Sequence, residues 1–162
     1  MLDWRWDFTW QILPRLLVAT GNTLLAALLG YAIAVVLGLA LSITQRTSPR
    51  AVSVVVREAV EFIRSTPLVL QIFFVFYVGP QFGIRLSPWT AGMIAIGLHY
   101  AAYLSEVFRG GIESVPKGQW EAATSLNLSP TRTYFRIIVP QAIPPSLAGM
   151  GNYLVGIFKD TP

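Results

Sequence analysis

LLVATGNTLLAALLGYAIAVVLGLALSITQ, residues 16–45, carries no charged side chain. At a helical rise of about 1.5 Å per residue, this stretch alone exceeds the roughly 30 Å hydrocarbon core of a bilayer. Three more windows lack charge: 65–84, 86–105 and 137–158. Each is long enough to cross, since a spanning helix needs about 20 mostly apolar residues. The composition agrees. Of 162 residues, 54% are hydrophobic and 12% charged, against about 25% charged in a soluble domain. Backbone groups in lipid must be paired within their own segment, so the windows predict helices. The expected fold class is all-α, a polytopic membrane protein with four spanning helices. The first window does not fit a cleaved signal peptide. It is too long, and Asp3 and Asp7 stand where a positive leader is required.

Residues 1–14 hold Trp4, Trp6, Phe8 and Trp10, rings that favour the membrane interface. They are expected to lead into helix 1, residues 16–43, whose Gly21, Gly30 and Gly38 predict a face for close packing. Helix 2 is expected over 53–78, with Pro67 kinking it or starting a new helix. Helix 3 is expected over 88–108. The longest polar stretch, 109–136, predicts an amphipathic helix over 117–127. A second helix is capped by Ser129 with Pro130 at its first position and ends near Val139, before Pro140. Helix 4 is expected over 141–158, broken up by Pro144, Pro145, Gly149, Gly151 and Gly156. Glu106 and Arg109, three apart, can pair at the interface.

Arg46, Arg50, Arg57, Arg64, Arg109, Lys117, Arg132 and Arg136 fall in the segments 44–64 and 109–136. Arg5, Arg15, Arg85 and Lys159 fall on the other side. The basic excess marks the first side as cytoplasmic and puts the N-terminus outside. With no cysteine and one histidine, disulfides, thiolate sites and multi-histidine metal sites are excluded. No phosphate-cradling G-x-x-x-x-G-K-[ST] loop is present, nor does a nucleophile–base constellation stand out. No catalysis, cofactor or nucleic-acid partner is expected.

The segment after helix 3 reads GGIESVPKGQWEAATSLNLSPTRTYFRIIVPQAI. A loop of short amphipathic helices suits docking into a groove on a soluble partner. Glu121-Ala122-Ala123, followed by Ile137 and Pro140, resembles the "EAA" signature of permease subunits in bacterial ABC importers. Phe62–Leu68, Arg109–Ile112, Ser114–Gln119, Pro140–Ala142 and Lys159–Thr161 are similar to the polar amino-acid branch. Gly97–Tyr100, Gln119–Ala123 with Leu126–Ser129, and Phe158–Pro162 look most like the ectoine/hydroxyectoine permeases. The resemblance implies a bacterial inner-membrane subunit providing half of a pathway for a small zwitterionic solute. It also implies three partners besides lipid: an ABC ATPase subunit that hydrolyses the ATP, a second permease, and an extracytoplasmic solute-binding protein. Glu121, Ala122, Ala123, Asn127 and Pro140 are then the ATPase-coupling residues. Asn127 stands where the signature has glycine, and asparagine tolerates a left-handed backbone better than most residues.

Family members carry a fifth span after Lys159-Asp160-Thr161, so residues 1–162 are expected to be a single transmembrane domain truncated at its C-terminus. Candidate solute-path residues are His99 and Tyr103 in helix 3 and Lys159 and Asp160 after helix 4. Polar groups inside a membrane usually face an interior or a cavity. Bonding to neighbouring helices is the first account of His99 and Tyr103, together with Tyr100 beside them, and an interfacial pair accounts equally for Lys159 and Asp160. An ion-coupled transporter or channel acting without an ATPase is the alternative. It calls for carboxylates in mid-membrane, and the four windows contain none. A membrane assembly factor is a third reading.

Overall fold

A computed structural model describes residues 5–161, and these are almost all helical, with no strand among them. Seven α-helices follow in order: α1 (Trp6–Thr47), α2 (Arg50–Ser65), α3 (Leu68–Phe73), α4 (Pro88–Glu113), α5 (Lys117–Ser125), α6 (Pro130–Thr133) and α7 (Val139–Asp160). A π-helical turn over Phe74–Val78 and a 3-10 turn over Gly79–Phe82 extend α3. A second π-helical turn, Tyr134–Ile138, joins α6 to α7.

Small residues of α1 let it lie against α4. Ala27, Gly30, Ala34, Gly38 and Ser42 are its buried residues, spaced three and four apart so that they fall on one face. A Cβ on Gly38 would sit 3.0 Å from the Ala101 carbonyl oxygen and 3.1 Å from the Ser105 nitrogen. Glycine there is what allows the backbones to touch. Ile96, Ala101, Leu104 and Phe108 of α4 complete this core, together with Ile157 of α7. A smaller cluster of Ile112, Val115, Ile138 and Ala142 fixes the far end of α4 to the start of α7. The packing sets the directions. α1 and α4 run parallel, since Gly30 meets Ile96 and Gly38 meets Leu104. α7 runs back, since Ser146 reaches the Val107 carbonyl and Tyr100 reaches Asp160.

Several expected boundaries change. Helix 1 begins ten residues earlier than its predicted start, so Trp6, Phe8 and Trp10 belong to one continuous helix and not to a separate interfacial segment. Trp4 and Pro162 lie outside the described residues. Helix 2 is split where Pro67 was expected to act: α2 and the α3 unit meet at 108°. The predicted stop before Pro140 is absent, and α7 is unbroken through Pro140, Pro144 and Pro145. The π-helical turn explains the first of these. It shifts the Val139 N–H onto the Tyr134 carbonyl, changing the register just where proline removes a donor. Ser87 caps α4, accepting from the Thr90 N–H at 3.1 Å, as Ser129 caps α6 through Arg132.

By length and apolar content α1 and α4 can each cross a membrane, and the bent α2–α3 pair makes a third if it counts as one span. The four expected spans are therefore two or three by this measure. α7 has 22 residues, but prolines, glycines, Gln141 and Asn152 dilute its apolar run.

Candidate functional site

The break between α2 and α3 frees carbonyls at the end of α2, and one side chain gathers them. Gln71 Nε2 donates to the Ile63 carbonyl at 2.8 Å, the Thr66 carbonyl at 3.2 Å and Thr66 Oγ1 at 2.7 Å. Its other end, Oε1, lies 3.2 Å from His99 Nδ1 of α4. One turn further along α4, Tyr103 donates through its hydroxyl to the Arg64 carbonyl at 3.1 Å. The Arg64 guanidinium stands 5.4 Å over the Tyr103 ring, within cation–π range. Arg64 also pairs with Glu61 at 3.3 Å, and its Nε is buried without a partner. α4 thus holds the break at about half its own length.

Rings continue the cluster into α7. His99 contacts Tyr100 and Tyr103, and Tyr153 closes on both tyrosines at 6.1 and 5.4 Å between centroids. Tyr100 donates to Asp160 Oδ2 at 2.6 Å. Gly156 makes that reach possible, because a Cβ there would lie 3.0 Å from the Tyr100 hydroxyl. Of the four solute-path candidates, His99, Tyr103 and Asp160 join one network through Tyr100. Lys159 is exposed and has no ion pair among the described residues. Tyr100, which the sequence groups with His99 and Tyr103, belongs to the cluster, and Gln71, Arg64 and Tyr153 join it without having been read as solute-path residues. The signal for two of these was available: Arg64 and Gln71 flank the Pro67 that was expected to interrupt the helix.

The second candidate is α5 with the turn that ends it. The Leu128 N–H bonds the Ala123 carbonyl at 3.1 Å and the Asn127 N–H bonds the Thr124 carbonyl at 2.9 Å, the paired bonds of a Schellman cap. Asn127 holds the left-handed position at φ 54°. α5 leans on the turn before α7 through Trp120 and Tyr134, whose rings meet edge to face at 5.3 Å. The Arg46 guanidinium covers Trp120 at 5.1 Å. Burial pushes the Tyr134 phenol up, against the pull of the Arg46 charge, so the phenol stays neutral and gives Arg46 no anion. The signature residues divide. Ala123 is 2% exposed and faces the chain's own body, whereas Glu121, Ala122 and Asn127 are exposed. Pro140 is exposed on the first turn of α7. On α4, Arg109 pairs with Glu106 at 2.8 Å, as its spacing predicts, and also with Glu113 at 2.9 Å.

The family described as "binding-protein-dependent transport system inner membrane component" matches residues 34–162. The chain belongs to that family. The permease is 47% identical over 155 residues to a probable amino-acid ABC transporter permease of Sinorhizobium fredii, covering 96% of this chain and 67% of the relative. It is 35% identical to the L-cystine transport system permease of Bacillus subtilis, at 96% and 67% coverage. Among solved structures it resembles an amino acid ABC transporter with histidines, with TM-score 0.83 and 29% identity, over 99% of this chain and 75% of that one. A methionine ABC transporter in inward-facing conformations shares the fold alone, with TM-score 0.69 and 16% identity, over 98% of this chain and 74% of that one. The permease is therefore a transport component of the inner membrane.

Proposed function

We propose that the permease supplies half of the pathway of an ATP-driven amino-acid-type importer for a small zwitterionic solute, a polar amino acid or ectoine/hydroxyectoine. The observation that carries this reading is the exposed face of α5. Glu121 and Ala122 stand clear of the chain on a short helix held by a Schellman cap, and the family is one of binding-protein-dependent transport. α5 is then the coupling helix, and a separate ATPase subunit receives it. A second permease completes the pathway, and an extracytoplasmic protein delivers the solute.

The same reading puts α5 and the ends of α1 and α4 in the cytoplasm, the N-terminus outside, and α7 across the membrane as a fourth span. The polar cluster at the α2–α3 break lies beside the path. A zwitterion leaving water needs both charges matched. Arg64 offers a cation, Asp160 an anion, and the tyrosine rings offer faces to a delocalised cation. Relatives are named for L-cystine, nopaline and glutamine. The ectoine assignment rests instead on the resemblance at Gly97–Tyr100, Gln119–Ser129 and Phe158–Pro162.

Proteoliposomes holding the permease, its ATPase and its binding protein test the proposal with labelled ectoine, hydroxyectoine, glutamine, cystine and histidine. ATP inside should drive uptake, with one of these solutes strongly preferred. Uptake driven by an ion gradient and indifferent to ATP would overturn it and restore the ion-coupled alternative.

A further inference from the structure

At the end of the bundle where α1 and α4 finish and α2 begins lies a cleft of about 190 Å³. Ser42, Gln45 and Arg46 line it from α1, Ser53 and Arg57 from α2, and Glu113 from α4. Two of its donors have no partner. They are Ser42 Oγ, on a residue 2% exposed, and Gln45 Nε2. Buried donors left unpaired are costly, and each needs an explanation. The Gln45 amide is not needed to hold the α1–α2 turn, because Ser53 Oγ already donates to the Gln45 carbonyl at 2.5 Å.

The charges have a sign. Glu113 is engaged by Arg109 at 2.9 Å. Arg57 gives Nε and Nη2 to Glu58, which leaves the rest of its donor fork open. Arg46 has no carboxylate partner among the described residues, and meets only the Trp120 face and the neutral Tyr134 phenol. The cleft therefore offers the Arg46 guanidinium, whose charge is unmatched, with the unpartnered Gln45 amide and Ser42 hydroxyl buried in its wall, while its one carboxylate, Glu113, shares Arg109 with Glu106. That donor set fits a phosphate, which guanidinium binds through parallel hydrogen bonds. The position narrows the source. The cleft sits at the ends of the two spans α1 and α4, where the uncharged windows give way to arginines and where lipid headgroups lie.

We propose that this cleft binds the phosphate of an anionic phospholipid headgroup. The proposal does not depend on the identity of the solute, so a failed transport assay leaves it standing. The test uses the assembled importer, stripped of lipid in detergent. It is titrated by native mass spectrometry with dioctanoyl-phosphatidylglycerol, and inorganic phosphate is added as competitor. The lipid should be retained, and Arg46→Gln should weaken it roughly tenfold or more, as expected for a lost charge-assisted bond. Ser42→Ala should weaken it by about fivefold. That variant removes a hydroxyl with no partner, so its lipid-free stability should be unchanged or higher, and it keeps the test valid if Arg46→Gln unsettles Trp120. Equal lipid affinity in the wild type and both variants overturns the proposal. Displacement of the lipid by an equal concentration of inorganic phosphate assigns the cleft to free phosphate and overturns the lipid source. Loss of ATPase co-purification in Arg46→Gln, with no lipid bound to the wild type, makes the cleft a protein contact and overturns it as well.

Discussion

The Tyr100 hydroxyl and the Asp160 carboxylate bond at 2.6 Å between α4 and α7, sixty positions apart. The bond ties the last turn of α7 to the middle of α4. Tyr100→Phe should lower stability by about 1 kcal/mol, the usual net value of a partly exposed hydrogen bond. Gly156→Ala should weaken the same bond, because its Cβ would crowd the Tyr100 hydroxyl, against a helix-propensity gain of up to about 1 kcal/mol. Thermal unfolding of the purified complex measures both. Since the two changes act on one bond, the double variant should lose less than their sum.

The close approach of α1 to α4 predicts a contrast between two glycines of one helix. Gly38→Val drives side-chain atoms into the α4 backbone and should cost at least the 1–3 kcal/mol typical of overpacking. A Cβ added at Gly21 would meet nothing within 4 Å, so Gly21→Ala should stay within about 0.5 kcal/mol of wild type. Unfolding midpoints of the two variants check this.

Gln71 carries the backbone of the α2–α3 break. Gln71→Leu leaves the Ile63 and Thr66 carbonyls without that donor and His99 without its partner. An unpaired buried group costs roughly 1–3 kcal/mol, so transport and thermal stability should both fall. Tyr103→Phe removes only the bond to the Arg64 carbonyl and should be milder. ATP-driven uptake in proteoliposomes, with unfolding measured on the same preparations, ranks the two.

Asn127 holds a left-handed position that costs most side chains about 1–2 kcal/mol. Asn127→Gly should preserve or raise stability, and Asn127→Val should lower it by about that amount. If α5 is the coupling helix, Asn127→Val should also reduce stimulation of the ATPase by loaded binding protein. Unchanged stimulation with a lowered midpoint would separate the turn from coupling.

Neighbouring alanines should part company. Ala123 is buried against the chain itself, so Ala123→Leu should destabilise the permease by about 1–3 kcal/mol. Ala122 is exposed, and Ala122→Leu should leave stability intact while blocking ATPase co-purification.

Orientation is checked with single cysteines on a chain that has none. Gly83 is a poor position, since its φ of +80° suits glycine alone. Gln81→Cys should react with an impermeant maleimide in intact cells, and Lys117→Cys should not. The opposite pattern reverses the proposed topology.

The sequence by itself determined what depends on neighbours along the chain. Windows without charge predict helices wherever lipid is the solvent, and α1 and α4 follow them. Ser129-Pro130 marks a helix start, Pro67 an interruption, and Asn127 a left-handed turn, each because the constraint is local to a few backbone angles. The family was legible too, since Glu121-Ala122-Ala123 with Pro140 is a linear pattern. Tertiary structure decided what depends on distant partners. Pro140 fails to stop a helix because the π-helical turn before it shifts the hydrogen-bond register. Ala123 turns inward and Ala122 outward because α5 leans on the Trp120–Tyr134 contact, which no spacing reveals. Asp160 enters the polar cluster and Lys159, likewise exposed, does not, because Gly156 lets the Tyr100 hydroxyl reach the carboxylate. A helix face acquires a role only from what packs against it, and that pairing of α1 with α4, α3 with α4 and α4 with α7 is written nowhere along the chain.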